Sequence, residues 1–286
     1  MKHFLLDNEQ GVKSLCGVIR NFLNYVLLHT VCPEYTEDVM AARGVCDMAE
    51  MELNAILRLR GKFPGPFNTS ASTLYGRLSQ GMEEDEIETG SSSDGRDMHL
   101  ENLRLRIVAA ERIFKTGVAF EGTADMFKAV DEGNINIVKT EARYVEIVQI
   151  DRAMVSTVDK YSTLKNHLDV PGTLNALGKV HVKHWDGPEL FAEDMTDDEE
   201  EHPAPSAGPF IETFWLEDSI LQHCFLGMKL GIEVTELDIG IKVIEGVLGL
   251  FCSFYMVLPN ERVIDNWKEP SKKEPLCFIT GEYLLT

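Results

Sequence analysis

The apolar spacing of the first sixty residues constrains the fold more than any other feature of the chain. Val12, Leu15, Cys16, Ile19, Phe22, Leu23 and Val26 keep the i, i+3, i+4, i+7 rhythm of a helix with one buried face. Pro33 cannot continue that helix, because it has no N–H to donate and its ring clashes with the preceding turn. Thr36 is then expected as an N-cap, with Glu37 and Asp38 complementing the positive end of a second helix. A second stripe, Val39, Ala42, Cys46, Ala49, Leu53 and Ile56, stops at Gly61, a residue suited to the left-handed turn after a helix. Two such helices make a hairpin whose apolar faces need a cover.

The texture changes further along the chain. Leu103, Ile107, Ala110, Phe114 and Val118 predict a helix over 100–119, and Thr123 opens a short one that ends at Gly133. Residues 135–138 and 144–150 are β-branched and read as two strands, 155–167 as a short helix, and 180–185 as a strand. The strongest strand signal is Met228, Leu230, Ile232 and Val234 alternating with Lys229, Gly231, Glu233 and Thr235, followed by a nearly continuous apolar run over 241–258. Burying these side chains is worth roughly 1.5–3 kcal/mol each at most. The N-terminal helices are their expected cover. The stretch 63–76 carries Pro64, Gly65 and Pro66, so it is expected as a loop that packs down through Phe63, Phe67, Leu74 and Tyr75. The fold class is therefore α+β: an N-terminal helical hairpin and further helices packed on an antiparallel sheet formed mainly by the C-terminal half.

Charge locates the rest. The formal net charge is −20, but residues 83–97 hold seven acids and residues 189–201 hold eight. Without those two runs the chain has 32 acidic and 26 basic residues, about −6. Segments 81–97 and 189–209 are too polar and too rich in Gly, Ser or Pro to offset their ordering entropy, and both are expected as acidic disordered insertions in a single integrated domain over 1–286. A phosphate backbone would be repelled unless basic residues gathered on one face, and the densest basic run, Arg58 to Lys62, suits a helix C-terminus. Six scattered cysteines, mostly in apolar runs, suit reduced buried thiols. No apolar run at the N-terminus has signal-peptide length, and Lys242 and Glu245 interrupt the longest apolar region, so a soluble intracellular protein is expected.

His29 and Cys32 sit one turn apart, without the second tight ligand pair that structural zinc requires. His181 and His184, three apart on a strand, point to opposite faces. No G-x-S-x-G elbow and no P-loop occurs, and the paired carboxylates cluster in the two acidic runs, where nothing would hold them in catalytic geometry. Phe251, Phe254 and Tyr255 lie in apolar sequence with no Lys or Arg between Lys242 and Arg262, which suits core rather than a base-stacking platform. No enzyme, metal or cofactor is expected. Three aromatics are interface candidates: Phe63 and Phe67 in the proline-rich stretch, and Trp267 in a polar setting.

An ordered series of motifs resembles the fungal Argonaute-binding protein one family. It begins with residues 22–35 (FLNYVLLHTVCPEY) and 41–53 (AARGVCDMAEMEL), then 64–68 (PGPFN) with 72–76 (STLYG). Residues 113–117 (IFKTG), 122–127 (GTADMF), 214–229 (FWLEDSILQHCFLGMK), 252–260 (CSFYMVLPN) and 267–270 (WKEP) follow in order. Pro66 departs from the acidic residue that many members carry there, and their long N-terminal extension is not among these 286 residues. The resemblance implies a non-catalytic subunit of an Argonaute siRNA chaperone complex. Its partners would be Argonaute carrying duplex siRNA, a second small subunit of the complex, and siRNA only through Argonaute. The implied role is to restrain slicing and passenger-strand release and to support siRNA-directed heterochromatin formation, in nucleus and cytoplasm and without a membrane. From the residues alone, an acidic scaffold of another nuclear complex and an enzyme with a dispersed site remain open.

Overall fold

The structure, a computed structural model, describes residues 8–76, 93–167, 175–188 and 211–256, with the side chains of 93–100 and 165–167 left aside. All of these except Met256 belong to one unit, Met1–Tyr255; Met256–Thr286 forms a second unit. The expected insertion at 189–209 lies outside the described residues, as does 81–92, while residues 93–97 fall within a helix.

Five strands form one antiparallel sheet: β1 (Ile137–Asp151), β2 (Leu177–His184), β3 (Glu212–Glu217), β4 (Lys229–Leu237) and β5 (Lys242–Phe251), in the order β3-β2-β1-β4-β5. The two strands expected over 135–138 and 144–150 are one. The polar residues between them pair along β4 in a register running from Ile137↔Leu237 to Glu146↔Lys229. Thr140 and Thr235 meet there through their hydroxyls at 2.8 Å, and Arg143 is paired with Glu141 and Glu212. Cross-strand partners thus sustain a strand that apolar periodicity does not show.

Among the described residues, seven helices accompany the sheet: α1 (Glu9–Leu28), α2 (Thr36–Leu59), α3 (Pro66–Tyr75), α4 (Ser93–Glu121), α5 (Ala124–Glu132), α6 (Val155–His167) and α7 (Asp218–Leu221). The molecule is α+β. Local chemistry sets several ends. Asn8 caps α1 by accepting from the Gly11 N–H at 2.7 Å, and Thr123 caps α5 by accepting from Met126 N–H. Gly133 closes α5 in the left-handed region. Thr36 is not the expected cap. It lies inside α2 and donates its hydroxyl to the Pro33 carbonyl of the 3₁₀ turn Pro33–Tyr35. The proline-rich stretch is helix rather than loop, because Pro66 occupies the first turn, where its missing N–H costs nothing.

Both faces of the sheet are buried. One set of alternating positions, including Val180, Phe214, Leu230, Ile232 and Ile244, joins the largest core together with Ile56, Leu59 and Phe63. The opposite set, Leu177, Trp215, Leu237 and Val243, packs with Phe67, Ala71, Phe114 and Val118 of α3 and α4. The expected cover is therefore corrected. The hairpin sends only the end of α2 to the sheet, while α3, α4 and α5 cover the other face. Of the stripe expected to be buried on α1, Val12 and Cys16 are buried, whereas Ile19 and Phe22 are exposed.

Candidate functional site

The sheet curls until its two edge strands, β3 and β5, approach each other. Open edges present unpaired backbone groups that must be satisfied or covered. Here α3 lies along the seam. Asn68, fully buried, donates from Nδ2 to the Trp215 carbonyl of β3 at 2.9 Å and to the Pro64 carbonyl at 3.2 Å. Its Oδ1 accepts from the Ile244 N–H of β5 at 2.9 Å. One amide thus supplies the donor and the acceptor that a missing strand would have supplied. One turn on, Ser72 donates to Glu245, which also accepts from Thr235 at 2.6 Å. Lys242 of β5 stands 3.3 Å from Glu212 of β3, so an ion pair crosses the same seam.

Glu217, at the end of β3 and 1% exposed, accepts from the Phe67 N–H at the start of α3. Its second oxygen has no hydrogen-bond partner. Burial pushes its carboxyl up to about 7, against the pull of that hydrogen bond. Gly65 is held at φ +95°, and a Cβ there would lie 2.1 Å from Glu217 Oε2, so position 65 needs glycine for space and for conformation. The motif at 64–76 is therefore a staple. Its signature is a helix whose buried residues after Phe67 are small or polar, Asn68, Ser70, Ala71, Ser72 and Thr73, and such a pattern makes no apolar stripe.

The candidate residues separate accordingly. Phe63 is buried against the end of α2, and Phe67 is buried on the other face of the sheet, stacked on Phe114 at 5.2 Å between ring centres. Both serve this chain's own packing rather than an outer face. Trp267 lies outside the described residues. His181, held by Thr213 and Asp151 at 2.9 Å each, and the exposed His184 point to opposite faces, as expected. The five described cysteines are free, and burial pushes the Cys224 and Cys252 thiols up to about 12. Among the described residues, no cluster of His, Cys, Asp and Glu is placed to hold a metal ion, and no helix is long and apolar enough to cross a membrane.

Cavities border the body among the described residues. One of about 610 Å³ runs between the end of α2 and β5, lined by Ile56, Leu59, Phe63, Val247 and Leu248, with Arg60 its one charged side chain. Another, of about 440 Å³, lies beside Gly65, Thr69, Asn175 and Ser219, with Lys62 its one charged side chain. Among the described residues that line them, neither brings ionisable groups together.

The hairpin is the feature that sequence periodicity misjudged. Its root is fixed: Glu52 of α2 accepts from the Ser253 N–H at 2.8 Å and from its hydroxyl at 2.6 Å, and Ile56 and Leu59 enter the core. Arg58 and Glu9 pair at 2.9 Å across the two helices, and Arg20 reaches Asp47 at 2.8 Å and Glu50 at 3.2 Å. Beyond Cys46, towards the turn, α2 extends ten more residues, about 15 Å at 1.5 Å per residue. Large apolar side chains are exposed along that part of both helices. The spacing alone shows an apolar arc, and only the structure shows that a single partner helix covers just part of it.

A family described as Argonaute siRNA chaperone (ARC) complex subunit Arb1 matches residues 1–270. Argonaute-binding protein 1 of Schizosaccharomyces pombe (strain 972 / ATCC 24843) is similar, 24% identical over 258 residues that cover 90% of this chain and 59% of that protein. The chain thus spans about three fifths of the length of that relative. No solved structure matches. With a match that runs through the hairpin, the seam helix and every strand of the sheet, the chain belongs to the family of the Argonaute siRNA chaperone complex subunit Arb1.

Proposed function

We propose that this chain is a non-catalytic subunit of an Argonaute siRNA chaperone complex. It binds Argonaute that carries duplex siRNA, restrains slicing and passenger-strand release, and supports siRNA-directed heterochromatin formation, in nucleus and cytoplasm. A second subunit of the complex is its other partner, and siRNA is met only through Argonaute. The family match over residues 1–270 carries this reading. The uncovered apolar surface of the hairpin and cavities without converging ionisable groups support a role in contact rather than chemistry.

The physical mechanism is occlusion with a bias. A folded body that docks on Argonaute shifts its state only as far as its affinity differs between the duplex-loaded and single-strand-loaded forms. Net acidity helps the encounter with a basic partner and weakens as salt rises, since the Debye length is already about 8 Å at physiological strength. The direct test is retention of purified Argonaute by the full chain at low salt. Saturable binding is expected, and no retention would remove the reading.

A further inference from the structure

Among the described residues, the hydrogen bonds and ion pairs of residues 18–51 run within the hairpin, from α1 to α2, inside one helix or through the turn between them. On α1, Val18, Phe22 and Tyr25 recur at i, i+4 and i+7, so they form one stripe on a side that α2 leaves uncovered. Leu28, Tyr35 and Met40 continue apolar surface through the turn, and these six side chains are 57% to 80% exposed. Single exposed apolar residues are ordinary, whereas a run of this length with three rings in it marks a contact surface.

Charge narrows the occupant. Residues 21–42 contain Glu34, Glu37 and Asp38 and no Lys or Arg. All three acids are exposed and have no ion-pair partner among the described residues. A second copy of the chain would bring the same acids against each other in a two-fold contact. Phosphate backbones and anionic lipid surfaces would be repelled in the same way. A positively charged protein face gains from the acids and can accept the rings in apolar sockets.

We propose that this apolar, acid-edged end of the hairpin docks on a basic protein face with apolar sockets, and, resting on the function proposed above, that the face belongs to Argonaute. The rings anchor the complex and set its lifetime. The acids steer the encounter and set its rate.

The test uses the full chain and purified Argonaute. Phe22→Gln with Tyr25→Gln removes the two rings of the α1 stripe and keeps residues that favour helix. The melting temperature of this variant should stay within about 2 °C of the unsubstituted chain, since exposed side chains contribute little to folding. Its dissociation constant for Argonaute should rise about tenfold or more. Glu34→Gln, Glu37→Gln and Asp38→Asn together should slow association severalfold and flatten its salt dependence. Unchanged binding by the ring variant overturns the docking inference and leaves Argonaute binding itself in place. Failure of the unsubstituted chain to bind removes the function proposed above, and this inference with it. A melting temperature lowered by more than about 5 °C would show that the rings are covered within this chain, and a sedimenting dimer split by the ring variant would show a second copy as the occupant. Either result overturns the proposal.

Discussion

Glu217 holds a carboxyl where water does not reach, and the fold opposes its charge. The group is 1% exposed, one oxygen accepts from Phe67 N–H, the other has no partner, and its pKa is raised from 4.5 to about 7. The sign follows from proton linkage. Between pH 4.5 and about 7 the folded chain holds a proton that the unfolded chain has released, so stability falls as pH rises through that window and levels off above it. The full effect is at most ~3 kcal/mol. Glu217→Gln removes the titration and keeps an oxygen for the Phe67 N–H. The variant should match the unsubstituted chain near pH 5 and exceed it in urea midpoint near pH 8. Equal midpoints at both pH values would show that the carboxyl titrates normally. Nothing in the sequence singles out Glu217: its neighbour Asp218, one residue on, is paired with Arg152 at the surface. Burial, which only the curled sheet creates, separates the two.

At the scale of elements, the seam between β3 and β5 depends on α3. Asn68 satisfies Trp215 C=O and Ile244 N–H with one side chain. Asn68→Ala leaves both backbone groups buried and unpaired, and each costs about 1–3 kcal/mol. The unfolding free energy in urea should fall by about 3–5 kcal/mol. A loss under about 1 kcal/mol would mean that the seam closes without the staple. β2, β4, β5 and most helices were legible from periodicity, because β2, β4 and α5 each keep one clean apolar rhythm. Other elements were not, and β3 and α7 were not expected at all. The middle of β1 is polar and held by cross-strand pairs, and α3 buries small and polar residues after two prolines. The hairpin has the spacing of a buried pair, yet spacing does not reveal how much of an apolar arc a single neighbour will cover. The same limit applies to two of the three interface candidates, while Trp267 lies outside the described residues. Phe63 and Phe67 are aromatic and lie beside prolines, and they serve the core, while Phe22 and Tyr25 sit in a regular apolar stripe and are exposed.

The whole molecule divides its labour. A sheet covered on both faces and sealed at its seam forms the body, and a hairpin rooted through Glu52, Ile56 and Leu59 carries apolar surface away from it. In the reading proposed here, Argonaute is the partner of that surface, and the acids of the hairpin give it a sign. A subunit that only adhered to Argonaute would change nothing about its state. One that restrains it must prefer one form. The most direct measurement is therefore the dissociation constant of the full chain for the same Argonaute loaded with duplex siRNA and loaded with the single guide strand, at one salt concentration. The duplex-loaded form should be bound at least about tenfold more tightly, equivalent to ~1.4 kcal/mol of bias. Equal affinity for the two forms would contradict the account.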